Sequence, residues 1–152
     1  MDVDLDALCV NAKIYVHEAE LKAVHNPHPL DFRYLEDYIL DVEEQGQIVP
    51  VTGDMEIVPG VRVVHTPAHT AGGLTVLVDT AKGVAAITGF CVIMENLEPP
   101  KAVRAMEMEV IPPGTCTSPQ EAYDTLVKVK GLADILLPLH EPRFASMPSI
   151  PE

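Results

Sequence analysis

"VRVVHTPAHTAGGLTVLVDT", residues 61–80, reads as strand, tight turn, strand. The β-branched runs on either side favour extended backbone, and Pro67 with the pair Gly72–Gly73 supplies the break between them. His65 and His69 are four apart, a spacing that places two rings on one face of a helix. Pro67 between them and the run VRVV before them exclude that helix. Both histidines therefore stand where a strand gives way to a loop. His69 is expected to point into a cleft, and His65 to pack or hydrogen-bond beside the strand.

Strand patterning continues outward from this stretch. "QIVPV" (47–51) and "MEIV" (55–58) are separated by "TGD", and "PG" turns the chain into 61–66. "LTVLVDT" (74–80), the turn "AKG" and "VAAIT" (84–88) make the clearest hairpin. The middle of the chain is thus expected to be a run of adjacent antiparallel strands. Upstream, "AKIYVH" (12–17) is β-rich, "EAELKAV" (18–24) has helix formers stopped by "NPHP", and 31–46 carries Phe32, Leu35, Ile39 and Val42 at helical spacing with Gly46 as C-cap. His25 and His28 flank Pro27 in what reads as a surface turn.

Downstream, residues 95–117 hold two Pro pairs and little periodicity, which predicts an excursion over the surface. A helix follows with Ser118 as N-cap, Pro119 at its first position and Glu121 completing a capping box. Ala122, Leu126 and Val129 form its apolar face and Gly131 ends it. "DILLPLH" (134–140) is a short apolar strand that delivers His140 at its end.

Composition narrows the function. A chain of 152 residues, 47% apolar, is expected to form one domain over 1–152. The formal net charge of −13, with ten scattered basic residues, excludes a nucleic-acid binder and a polybasic membrane patch. "MDVDLDALCV" lacks the features of a secretory signal, and "VAAITGFCVIM" (84–94) is too short to span a bilayer. Cys9, Cys91 and Cys116 are odd in number and far apart, which fits reduced, mostly buried thiols in a cytoplasmic protein. Asp2, Asp4 and Asp6 alternate like a calcium loop, but Ala7 and Lys13 stand where its glycine and closing glutamate are required. There is no P-loop, G-x-S-x-G or G-x-G-x-x-G.

What remains is His69 and His140, both at strand ends and placed to meet on one edge of a sheet. Catalytic zinc takes three protein ligands and structural zinc four. Cys91, Glu95 and Glu141 are the further donors nearby.

The order "EIVPGVRVVHTPAHTAGGLTVLVDTAKGVAAITGF…ENLEPP" followed by "ADILLPLHEP" resembles the second half of the metallo-β-lactamase superfamily, in its N-acyl-homoserine-lactonase-like branch. That family writes T-P-G-H-T-P-G-H, an apolar hairpin, T-G-D, and a final G-H-D after a strand. The resemblance implies an α+β fold: an antiparallel or mixed sheet with flanking helices, half of an αββα sandwich. In the family, five histidines and two aspartates hold two metal ions, usually zinc, and a hydroxide bridging them attacks an ester, lactone, thioester or amide carbonyl. His69 and His140 match two of those histidines, and one zinc ion is the cofactor they imply here.

Other positions depart from the pattern. Phe90 stands for the bridging aspartate of T-G-D, Leu139 for the glycine before the last histidine, and Gly73 for the second histidine of the first motif. The H-x-H-x-D-H motif is absent, and Met1 lies where the family has just passed it. Two matched positions out of seven imply a truncated, vestigial metal site. Three readings follow. The chain is a half-domain that forms a homodimer through its uncovered sheet face, or a hydrolase of a small-molecule ester, lactone or thioester whose single-ion site is completed by Cys91, Glu95 or a partner chain. In the third, an N-terminal half-domain is encoded elsewhere.

Overall fold

Residues 11–31, 34, 37–147 and 149 are described by the structure, a computed structural model. Contacts divide the chain into two units, 1–52 and 53–152. The aspartates 2, 4 and 6, Cys9, Phe32 and Leu35 lie outside the described residues.

In the first unit, strand β1 (Ile14–His17) pairs in parallel with β2 (Ile48–Val51), in a register running from Ile14 opposite Ile48 to His17 opposite Val51. Helix α1 (Glu18–His25) begins as β1 ends. The His17 ring caps it, Nδ1 accepting the Ala19 N–H at 3.2 Å. Helix α2 (Asp37–Glu44) closes at Gly46, whose φ of +67° is the left-handed turn expected of a C-cap glycine. His25, at the end of α1, pairs with Glu43 at 3.0 Å, and His28 caps its own turn through the Leu30 N–H. The expectation that 47–51 joins the antiparallel run is corrected: β2 belongs to a separate sheet. Apolar alternation reports an extended backbone but carries no information about the partner strand. The partner here is 34 residues upstream.

The second unit is built on a five-stranded sheet in the order β3-β4-β5-β6-β7: Met55–Val58, Val61–His65, Leu74–Thr80, Gly83–Ile87 and Ile135–Leu137. The first four strands are antiparallel neighbours, and β7 lies parallel to β6. A parallel pair requires a crossover, and residues between Ile87 and Ile135 provide it. That crossover holds α3 (Met94–Leu97), α4 (Lys101–Arg104) and α5 (Pro119–Leu132). The irregular excursion expected over 95–117 thus contains two helical turns, too short to show periodicity. Helix α5 starts as the sequence indicates, Ser118 Oγ accepting the Glu121 N–H at 3.3 Å, but runs through Gly131 to Leu132. Strand β7 stops at Leu137, so His140 follows it by three residues.

Register sorts the side chains between the two faces. On one, Val64, Leu77 and Ala86 pack with Ala122, Leu126 and Val129 of α5, and Phe90, Val92, Leu97 and Val110 of the crossover complete the core. Each fully buried Leu or Val here contributes about 1.5–3 kcal/mol. The opposite face is apolar in two rows that cross all five strands: Met55–Val63–Val76–Ile87–Leu137 and Val58–Val61–Val78–Ala85–Ile135. The chain is α+β with a mixed sheet, as expected.

Candidate functional site

Antiparallel alternation decides which loops meet. His65 at the end of β4 lies opposite Leu74 at the start of β5, Ile87 at the end of β6 lies opposite Val76, and Leu137 at the end of β7 lies opposite Ile87. The loops that leave β4, β6 and β7 therefore emerge from one edge of the sheet. They carry His69, Phe90 with Cys91, and His140.

The loop after β4 is fixed from several sides. The Thr66 N–H donates to the Gly73 carbonyl at 2.8 Å, and the buried hydroxyls of Thr66 and Thr75 bond at 2.9 Å. Thr125 Oγ1 of α5 donates to the Pro67 carbonyl at 2.6 Å, and the Thr117 N–H to that of Ala68 at 3.0 Å. His65 hydrogen-bonds beside the strand as expected: its Nε2 lies 2.8 Å from the Ala71 carbonyl. His69 is half-buried, with Nδ1 at 3.2 Å from the Thr115 carbonyl. A carbonyl only accepts, so Nδ1 donates in this contact, and in the neutral ring Nε2 is then the atom with the lone pair. This is the tautomer in which a histidine ligates metal, oriented by a backbone oxygen. Nothing local signals Thr115, which is 46 residues away in sequence.

The loops after β6 and β7 are laced together. The Thr88 N–H donates to the Leu137 carbonyl at 3.2 Å, the Leu139 N–H to Thr88 Oγ1 at 3.2 Å, and the His140 N–H to the Val92 carbonyl at 3.1 Å. His140 itself is exposed. Glu141 accepts the Met94 N–H at 2.8 Å and Arg143 Nε at 2.7 Å. The Met94 N–H, then the Arg143 guanidinium, hold its carboxyl below the ordinary carboxylate value. Glu95 and Glu98 line the same cleft as Glu141 and Arg143. Cys91 is exposed, a correction to the buried thiol expected there, while Cys116 is half-buried against the core.

Phe90 is 1% exposed and part of the core. At Gly73 a β-carbon would meet the Thr66 carbonyl oxygen at 2.7 Å, so no side chain fits that position in this turn. Among the described residues, no three His, Cys, Asp or Glu side chains are grouped to hold an ion. One ligand-ready imidazole, one exposed histidine and a buried phenyl ring do not fit a dinuclear metal centre. Among the described residues, no helix is long and apolar enough to cross a membrane.

No protein-family model matches the chain. An N-acyl homoserine lactonase of a Bacillus species is 36% identical over 73 residues, which are 48% of this chain and 26% of that protein. A solved N-acyl homoserine lactone hydrolase, with its product N-hexanoyl-L-homoserine at the catalytic metal centre, matches with a TM-score of 0.69 and 24% identity. The match covers 93% of this chain and 52% of that one. The hydrolase AbOPH, of the β-lactamase superfamily, matches with a TM-score of 0.55 and 19% identity over 78% of this chain and 42% of its own. The chain thus spans about a quarter of the curated lactonase and about half of the solved one. It has the fold of the metallo-β-lactamase superfamily and resembles the N-acyl homoserine lactonases over part of their length.

Proposed function

We propose that the chain is a metallo-β-lactamase-like protein whose own residues do not support metal-dependent hydrolysis, and that it acts as a homo-oligomer. The observation that carries this reading is the burial of Phe90 at the position where the resemblance places a bridging aspartate. A catalytic cation needs several anionic or imidazole donors around it, and a buried phenyl ring offers none. The two apolar rows on the second sheet face support self-association. Free Cys91 and Cys116 suit a reducing compartment such as the cytoplasm.

Metal analysis of protein purified without chelator tests this, together with assays on ester, thioester and N-acyl homoserine lactone substrates. The expected result is below about one tenth of an equivalent of zinc, iron or manganese, with no turnover. A full equivalent of tightly held metal with hydrolysis overturns the reading.

One observation favours a second reading. His69 is held in the ligating tautomer by Thr115, which suits a hydrolase whose site is completed by another polypeptide. Under that reading, lactone hydrolysis appears only when the chain is mixed with a half-domain carrying H-x-H-x-D-H.

A further inference from the structure

The position at which the resemblance calls for an anionic metal ligand is occupied by a ring in the core. Phe90 packs in one cluster with Val64, Ala68, Leu77, Val92 and Leu97. In a metal site, the loops at a sheet edge are drawn together by the ion they share, and its binding free energy is part of the folding free energy. Here the same loops are joined by other means. Thr88 is bonded to Leu137 and Leu139, His140 to Val92, and Glu141 to Met94. Those bonds use backbone groups, the Thr88 hydroxyl and the Glu141 carboxylate, and each is made without a cation.

We infer that Phe90 has replaced a metal ion as the tie at this edge, so that the loops after β6 and β7 are closed by an apolar plug and a hydrogen-bonded lace, and the chain folds without divalent metal. The inference rests on the proposed reading of Phe90 as a substituted ligand position, but it concerns stability and not activity. A chain that hydrolysed an ester in a chelator-sensitive way, through an ion held too weakly to shift its melting point, would overturn the proposed function and leave this inference standing.

The test is thermal unfolding of the full chain in EDTA and in added zinc, for the unsubstituted protein, Phe90→Leu and Phe90→Asp. The unsubstituted protein is expected to melt within about 1 °C in the two conditions, because a ligand that does not bind the folded state does not shift its midpoint. Phe90→Leu keeps an apolar filler and melts within about 6 °C of it. Phe90→Asp places an unpaired carboxylate in the core and either fails to fold or melts about 10 °C or more lower, in EDTA and zinc alike. Three results overturn the inference: a fall of more than about 3 °C when EDTA is added to the unsubstituted protein, recovery of Phe90→Asp by zinc, or a Phe90→Leu protein as damaged as Phe90→Asp.

Discussion

At Gly89 the backbone passes so close to the Leu74 carbonyl that a β-carbon would fall well inside contact distance of that oxygen. The neighbour is backbone at the first residue of a paired strand, so it cannot swing aside as a long side chain would. Gly89→Ala is therefore expected to cost about 2–4 kcal/mol, read as a fall in Tm of about 5–12 °C. Gly131 is the control. It sits inside α5 with open space where a methyl group would go. Gly131→Ala should stabilise the chain by about 0.5–1 kcal/mol through helix propensity alone. Equal effects of the two substitutions would refute the close approach at Gly89. Neither position is readable from sequence: Gly131 is expected to end α5 but lies inside it, and crowding at Gly89 comes from the strand paired beside it.

Elements meet at the sheet edge through Glu141, which links the loop after β7 to the first residue of α3. The Met94 N–H and then Arg143 lower its pKa on folding from an ordinary 4.5. The sign follows from linkage: a carboxylate with a depressed folded pKa contributes stability above its unfolded pKa, and that contribution disappears as pH falls through the folded value. Glu141→Gln should therefore lower Tm at pH 7, and the gap from the unsubstituted protein should narrow as pH drops below about 4.5 and close at lower pH. A gap that stays constant down to the acid transition would show that the charge of Glu141 is not what ties the loops.

The hairpins of β3 to β6 were legible because strand, turn and partner are contiguous in the chain. The pairing of β1 with β2 and of β6 with β7 was not, since each joins segments more than 30 residues apart and periodicity is blind to such partners. That His69 and His140 follow β4 and β7 could be read, but the strands stop four and three residues short of them. The oxygen that orients His69 and the capping of α1 by His17 could not, because histidine is not a usual N-cap and Thr115 is remote in sequence.

At the scale of the molecule, two opposed forces act on the apolar sheet face. Its two rows hold ten apolar side chains across five strands, of which Val63 and Ala85 are buried. Val58 is 53% and Ile87 41% exposed, the kind of surface that drives association. Against this stands a net charge of −13 on each chain. Two copies repel one another at low ionic strength, whereas the apolar attraction depends little on screening. Self-association should therefore tighten with salt, the reverse of what a charge-paired interface does. Sedimentation equilibrium is expected to show a dimer in the micromolar range whose Kd falls by about tenfold or more between 0.05 and 1 M NaCl, as the Debye length shrinks from over 10 Å to about 3 Å. Ile87→Glu should leave the circular dichroism of the chain intact and abolish the dimer at every salt concentration, because it sets a charge within one row at an exposed position. A monomer that persists to 100 μM or so across that range would remove self-association from the reading. A dimer that weakens as salt is added would instead place its contacts on charged surfaces away from these two rows.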